Sequence, residues 1–518
     1  MYSHTDSSSF GNFSSGVQVQ LATFGTTDSY LVSDQGQNFF MTKYMRTIPF
    51  AISTMAQEFT GASFGGSSSL KLNNETTGDL AYFMYLVVDL PAIKAIPKQD
   101  FVPEGMDGYS YIDYDNQRKY AGPNYGPLRQ APSDDVYFEN IGECLVGDQY
   151  DPYTTFKIGK KYWNKQEYGG DYDSVVSMAN CESTYEFMEG KPFAHWTNAV
   201  GQAVVKEIEI YIGTKNAKQK LCSEFLFAWE ELTGKAGKRL EEMIGKRKTK
   251  AQLLHDAQTN QRFYVPLPWW FTMPGLSLCS SKLKQGTIQI VAKWERLNKL
   301  IIASDGTDVV KPGEREKFSL LSNSDLSARL ETSFVYLTGK IKQDLVSAPS
   351  IKQLGIEIQQ SKMSSRTKEY SVPLKFKGQV KELIWMVRRM SNYDRNRLFD
   401  FSGIDNRDPI VTCSLELDGT TRFAGKEGRY YRLVTPYQHH SNIPEYFVYC
   451  ESFALFPEES IPTGYLNCDP LKTATFNVVL QEGLQEEFTE LLIFAPTWKY
   501  IVYENGDARF ENFTTNKN

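Results

Sequence analysis

An all-β fold assembled from sandwiches or jelly rolls is what this sequence predicts, and three observations carry the expectation. Aromatic residues make up 14% of the chain, led by 32 Phe and 30 Tyr, and such side chains suit a pleated, half-buried surface. Short apolar, β-branched and aromatic segments recur, each closed by Pro, Gly, Asn or Asp. Strands alternating regularly with helices, the mark of a parallel sheet, are absent from the pattern. At 518 residues the chain exceeds one ordinary core, so two or three domains are expected.

The elements follow in order. Residues 1–16 read as a flexible arm, without the basic start and apolar centre of a signal peptide. Val17–Phe24 alternates and predicts a first strand. Asn38–Ile52 predicts a second, ended by Pro49. Leu80–Leu90 (LAYFMYLVVDL) predicts a third, closed by Pro91 and Pro97. Residues 92–192 hold no period. Tyr109, Tyr111, Tyr114, Tyr120 and Tyr125 crowd there among Asp, Gly, Pro and Asn. A structureless stretch of that length is often functional, and tyrosine suits contacts between proteins. Loop backbone buried in a core would leave its polar groups unsatisfied. The segment is therefore expected as a surface insertion at one end of a sandwich.

Regular pattern returns at Ala203–Gly213, a half-buried strand. Leu221, Phe225, Trp229 and Leu232 then fall on one helical face, with Gly234 as the expected C-terminal cap. Gly237–Gln258 predicts a second helix or helical loop with Gly245 as its weak point. Strands are expected at Arg262–Phe271 and Gly286–Leu297. A polar, charged link spans 303–325, and the domain boundary is expected there. The second half, 326–505, repeats the style with little helix. Its strand-like segments include Leu330–Ile341, Gln353–Gln360, Lys381–Met390, Ile410–Gly419, Glu445–Phe456, Thr473–Gln481 and Glu490–Tyr503. Residues 506–518 read as a flexible tail.

Net charge is −6, which implies no general affinity for nucleic acid. No apolar run reaches the ~18 residues of a membrane span. The seven cysteines include no Cys-x-x-Cys and no zinc spacing, so reduced, buried thiols are expected. Gly234–Arg239 hints at a phosphate loop but lacks the required spacing and the final Ser/Thr. His439 and His440 are adjacent, and strand neighbours point to opposite faces. A metal pair is not expected from them, and His4, His195 and His255 stand alone. Tyr111–Asp115 and Asp171–Asp173 resemble acidic metal triplets but sit in the Tyr-rich insertion. The Ser-Lys match at Ser361 and Lys362 lacks the partners a nucleophile requires. The basic run Lys246, Arg247, Lys248 and Lys250 reads as a solvated helical face. Asn12, Asn74 and Asn512 lie in glycosylation sequons, with no secretory signal to use them. No catalytic residue, metal ligand or cofactor site is therefore assigned.

Seven collinear stretches resemble the major capsid proteins of nucleocytoplasmic large DNA viruses. They are FFMTKYMRTIPFA (Phe39–Ala51), GDLAYFMYLVVDLP (Gly78–Pro91), and VGQAVVKEIEIYIG followed by EFLFAWEELTG (Val200–Gly234). FYVPLPWWFTMPGLSL (Phe263–Leu278) and VKELIWMV (Val380–Val387) follow. RYYRLVTPYQHHSNIP (Arg429–Pro444) and SFALFPEESIPTGYLN (Ser452–Asn467) complete the set. Met273 stands where the family more often carries an Arg-Asn pair, and Lys235–Asn260 is longer than the motif requires.

The resemblance implies a double jelly roll, two eight-stranded antiparallel sandwiches side by side, with a short helix and long loop insertions in the first. It implies a structural virion protein whose three copies form a pseudo-hexagonal capsomer of an icosahedral shell, assembled in the host cytoplasm. Expected partners are the chain itself, minor capsid and penton proteins and the internal viral membrane, with no specific nucleic acid. The insertion would then rise outward as a tower. SFALFPEESIPTGYLN would be a strand and the elbow redirecting the chain. A jelly-roll carbohydrate-binding protein or glycoside hydrolase is the alternative, and it would need paired carboxylates across a cleft.

Overall fold

The structure is a computed structural model that describes residues 50–72, 78–93, 121–122, 126–127, 193–213, 217–234, 240–248, 250–257, 259–273, 275–284, 288–304, 326–337 and 339–511. The expected arm, the Val17–Phe24 strand, nearly all of the Tyr-rich insertion, the core of the polar link, and the last seven residues lie outside them. From Ala51 onward the chain forms one compact unit.

In the first half the strands are β1 (Phe50–Glu58), β2 (Ser67–Lys71), β3 (Leu80–Leu90), the two-residue β4 (Ala121–Gly122) and β5 (Gly126–Pro127), and β6 (Phe193–Trp196). Then come β7 (Val205–Ile212), β8 (Ala217–Cys222), β9 (Gln261–Pro266), β10 (Ile288–Trp294), β11 (Ile301–Ser304) and β12 (Ser327–Leu337). Eight of them build two four-stranded sheets, ordered β1-β12-β3-β9 and β2-β10-β7-β8, while β6 pairs with β11 and β4 with β5. The pairings within β12-β3-β9 and β2-β10-β7-β8 are antiparallel and most neighbours are distant in sequence, as jelly-roll crossovers require. Leu86, Val88 and Leu90 of β3 and Ile208, Ile210 and Ile212 of β7 fill the space between the sheets.

The second half supplies β13 (Ser350–Ser365), β14 (Glu369–Pro373), β15 (Gln379–Val380), β16 (Glu382–Arg389), β17 (Ile410–Leu417) and β18 (Thr420–Glu427). β19 (Tyr449–Ser452), β20 (Leu466–Asn467), β21 (Ala474–Leu480), β22 (Thr489–Glu504) and β23 (Asp507–Glu511) follow. β14-β21-β17-β18 is one sheet. The other is built around β22, which pairs with β13 along its full length and with β16, β15 and β23. β22 is buried at nearly every position, which explains its unbroken LLIFA run: a strand covered on both faces has no solvent side to alternate with. On one side of this sheet Trp385 of β16 meets Phe476 of the facing sheet, 4.9 Å between ring centres. On the other Phe494 meets Phe225 of the first half at 5.4 Å.

Several sequence expectations change. Of the expected Asn38–Ile52 strand only Phe50–Ile52 lies within the described residues, and these belong to β1, which runs on to Glu58. Val200–Ala203 is a helical turn ahead of β7, so the strand is shorter than Ala203–Gly213. Leu221 belongs to β8, a strand the pattern did not reveal, and the helix runs Ser223–Thr233. Gly234 follows that helix with φ −58°, outside the left-handed region. A β-carbon there would lie 2.9 Å from the Glu230 carbonyl, so glycine answers a close approach. Gly237–Gln258 resolves into helices Leu240–Ile244 and Lys250–Ala257, parted at Gly245 with φ +75°. The expected Arg262–Phe271 strand stops at Pro266, where Pro266 and Pro268 withhold ladder donors, and Trp270–Thr272 forms a 3₁₀ turn. Only Tyr449–Ser452 of Glu445–Phe456 is strand. Tyr430–Val434 is a π-helical turn leading into the helix Thr435–His439. The expected flexible tail contains β23, paired with β22.

One change concerns organisation. Leu330–Ile341 was expected to open the second jelly roll. Instead β12 pairs with β3 from Ser327↔Asp89 to Val335↔Leu80, with a bulge at Ser333/Phe334. Sheet membership therefore changes between Leu337 and Ser350, not across 303–325. The helix Gly339–Ser347 bridges the two.

Candidate functional site

Several of the motif-bearing segments meet at the seam between the two sandwiches. The helix Ser223–Thr233 is its keel. Its N-cap, Cys222, is extended and ends β8, so the helix leaves the sheet directly. Phe225, Leu226, Phe227 and Ala228 are buried along it. Phe227 stacks on Phe399 with ring centres 4.4 Å apart and meets Tyr446 edge-on at 5.0 Å. Such pairs contribute ~0.5–1.5 kcal/mol each beyond area burial.

Charges lock the aromatic contact. Arg388 of β16 donates to Glu224 at 3.0 Å and to Glu490 of β22 at 2.5 Å. Burial works against both carboxylates, yet the guanidinium outweighs it and holds them below their ordinary range. Glu231 accepts from the backbone N–H groups of Glu445 (3.0 Å) and Tyr446 (3.2 Å), and its backbone carbonyl accepts from Asn442 Nδ2 at 2.8 Å. Lys246 pairs with Glu231 and lies 5.0 Å from the Tyr446 ring centre. Burial opposes the ammonium, but Glu231 keeps its pKa above the ordinary value. Neighbouring Glu230 is pushed up to about 8, chiefly by burial. At the far end Thr197 donates to the Asn396 carbonyl at 2.8 Å, and Asn396 Nδ2 donates to the Ile301 carbonyl at 2.7 Å.

Lys246 corrects the reading of the basic run as a solvated face. It follows the left-handed Gly245, which turns it inward, and Arg247 donates to Asp256 at 2.5 Å. Lys248 remains exposed.

A cleft of about 570 Å³ opens along the seam, lined among others by Trp229, Trp269, Trp270, Ile358, Glu458 and Ile461. Two motifs distant in sequence, PLPWWFTMPG and FPEESIPTG, thus line one cleft. The elbow wall is held by a latch. His440 is enclosed, with Nε2 2.9 Å from Glu382 and Nδ1 3.2 Å from Glu458. The Ser441 N–H donates to Glu458 at 2.6 Å, and its hydroxyl donates there too. Burial opposes a charged imidazole, but Glu382 and then Cys450 beside it outweigh that and hold its pKa well above the usual value. Glu458 is lowered: burial raises it, and the bonds from His440 and Ser441 prevail. Lys381, buried with its ammonium 4.4 Å from the Trp498 ring centre, is pulled down to about 8 by desolvation. Gly464, at φ +144°, would set a β-carbon 2.5 Å from the Phe453 carbonyl; the elbow requires glycine there.

The other singled-out residues are spread over several elements. His195 is buried in β6 with Nδ1 2.7 Å from the Trp196 carbonyl, and His255 sits on the helix Lys250–Ala257. His439 Nδ1 lies 3.0 Å from the Leu455 carbonyl. Lys362 pairs with Glu490 at 2.7 Å. His4, the acidic triplets, the sequons and Lys235–Arg239 fall outside the described residues. Among the described residues no group of three or more His, Cys, Asp or Glu could hold a metal. Cys222, Cys279, Cys413, Cys450 and Cys468 are free thiols. The carboxylates lining the cleft, Glu458 and Glu459, both come from the elbow wall, so the described residues set no acid–base pair across it. Sequence reading missed the latch and the Glu231 network. The acids of EELTG and PEES were visible, but nothing local shows what they face.

The arrangement is a scaffold, and comparison with known proteins agrees. Residues 174–337 match the family model for the major capsid protein N-terminus. Residues 346–508 match that for the large eukaryotic DNA virus major capsid protein. The two matches part between 337 and 346, where the sheets change over. The chain is 24% identical to probable capsid protein 4 of Acanthamoeba polyphaga mimivirus, covering 89% of this chain and 92% of that one. It is 21% identical to the major capsid protein of Phaeocystis pouchetii virus, covering 90% and 93%. Its fold superposes on the PBCV-1 VP54 crystal structure with a TM-score of 0.60 at 14% identity, over 92% of this chain and all of that one. These proteins are structural components of virions, not enzymes, which sets aside the hydrolase alternative. By both halves of its sequence and by its double jelly-roll fold, the chain belongs to the major capsid proteins of large eukaryotic DNA viruses.

Proposed function

We propose that three copies of this chain close into a pseudo-hexagonal capsomer that tiles the icosahedral shell of a large DNA virus. The observation that carries this reading is the seam. Two sandwiches of similar build are fixed rigidly side by side, so three copies present six comparable corners. A closed ring of identical chains needs a heterologous contact repeated around the axis. Obligate interfaces commonly bury on the order of 2,000 Å² or more.

The first jelly roll is proposed to extend through Leu337 and the second to begin at Ser350. Insertion 92–192 is proposed as an outward tower. Minor capsid and penton proteins and the internal viral membrane are the proposed further partners, and assembly in the host cytoplasm completes the reading.

Size-exclusion chromatography with light scattering tests the core of the proposal. A stable mass three times the 59.0 kDa of one chain is expected. A folded monomer persisting at micromolar protein would refute it. Limited proteolysis of intact particles tests the tower: cutting within 109–126 is expected while the shell stays assembled, and complete protection would place the segment elsewhere.

A further inference from the structure

A second space lies inside the second jelly roll, away from the seam. Near the end where β14 leaves the sandwich and β21 enters it, the two sheets enclose a cavity of about 300 Å³. Leu415 and Leu417 of β17 line it from one sheet, and Val380 of β15, Leu383 of β16 and Leu466 of β20 from the other. Protein interiors are close-packed, with few voids larger than a water molecule. This one has about ten times the ~30 Å³ that a water occupies in the liquid, and its aliphatic walls offer water no hydrogen bond.

The rim is charged instead. Lys375, Lys377 and Lys472 border the same cavity, and all three are exposed. Among the described residues none of their ammonium groups pairs with a carboxylate. The two aspartates of these loops are committed to the backbone. Asp469 accepts from the Gly378 N–H at 2.8 Å, and Asp418 accepts from the Lys472 and Thr473 N–H groups at 2.8 Å each. The Cys468 N–H donates to the Gly378 carbonyl at 2.9 Å and ties the two rim loops together. The mouth is thus held in shape before anything enters, and a site already in shape loses little freedom on binding.

We infer that this cavity binds a single-chain fatty-acid anion, with its alkyl chain between the sheets and its carboxylate at the lysine rim. The apolar walls select an apolar body, and the three ammonium groups select a negative end. Length follows from volume. An apolar cavity of ~150 Å³ takes benzene, with its six carbons, so twice that volume takes a chain of about twelve. A membrane phospholipid carries two longer chains and exceeds the space, which fixes the source as a free fatty acid. The inference does not depend on the trimeric reading.

Calorimetric titration of the full-length protein with dodecanoate tests it. One molecule is expected to bind per chain. Each buried methylene strengthens binding about fourfold, so decanoate should bind about fifteenfold more weakly. Absence of dodecanoate binding, or equal affinity for the two acids, overturns the inference. Lys375→Glu/Lys472→Glu alters exposed side chains only. It should weaken dodecanoate binding at least tenfold, and an unchanged affinity overturns the inference. Wild type that sediments with phosphatidylglycerol vesicles but takes up no dodecanoate would assign the lysines to a membrane surface, and it overturns the inference equally.

Leu471→Trp fills the cavity from a half-buried position. With the fold confirmed by circular dichroism, loss of binding is expected, and retained binding overturns the inference. Should that variant not fold, Cys468 of the wild type gives a second readout. It lines the cavity and is 8% exposed. Dodecanoate should slow its maleimide labelling at least tenfold, read by mass spectrometry of the peptide that carries it. An unchanged rate overturns the inference.

Discussion

The latch at His440 shows how one residue holds a loop that carries no chemistry. Its sign can be worked out from both partners. His440 has a raised folded pKa, so its stabilisation is complete below the ordinary imidazole value of 6.5 and is lost as pH rises through the raised one. Glu458 is depressed, so its contribution is complete above the ordinary 4.5 and is lost as pH falls through the lowered value. Both act fully between those ordinary values. Glu458→Gln should therefore destabilise the chain by about 1.5–3 kcal/mol, the range for a hydrogen bond to a charged group, when thermal unfolding is followed near pH 5.5. The gap to wild type should shrink toward strongly acid and strongly alkaline pH, and a gap constant with pH would contradict the latch. Gly464→Ala probes the same loop through the backbone. The β-carbon would meet the Phe453 carbonyl, so a loss of at least ~1 kcal/mol is expected in denaturant titration, and a neutral result would show that the elbow relaxes freely.

At the scale of elements, the helix Ser223–Thr233 matters more than its eleven residues suggest. Its periodicity was legible in the sequence, and so was β3, found at Leu80–Leu90 as expected. Phe227→Ala removes the stack on Phe399 and the edge contact to Tyr446 at once. A loss of about 3–5 kcal/mol is expected, the usual range for a buried Phe truncation, and a loss below ~1 kcal/mol would mean that the seam is not packed as described. The misplaced elements share a cause. Leu221 keeps helical spacing with Phe225, yet β8 claims it because β7 offers an edge, with Ile208 opposite Leu221. Propensity and period act over a few residues; a free ladder position supplied from far away overrides them.

For the whole molecule, the buried apolar residues of both sandwiches join in one continuous core. Sheet membership is segregated but the packing is not, so calorimetry on the full-length protein should show one cooperative transition. Two resolved transitions would show that the halves unfold independently. The position of the boundary illustrates what a linear reading can reach. The polar stretch 303–325 looked like a link between domains because links are polar and rich in Gly and Pro. β12 beyond it still returns to the first sandwich to pair with β3, a long crossover that composition does not encode.

The sequence by itself determined the strand-rich class, the collinear motifs, the helix ahead of the seam and the turn at Pro457–Gly464, because each rests on local sterics or on a periodicity of a few residues. Only the tertiary structure decided that β12 belongs with β3, that Lys246 turns inward to pair with Glu231, and that His440 binds the elbow. The same holds for the two motif walls that share one cleft. Those outcomes depend on groups brought together across many tens of residues. Whether a charged side chain is solvated or buried with a partner is set by what packs over it, and its neighbours in sequence do not specify that.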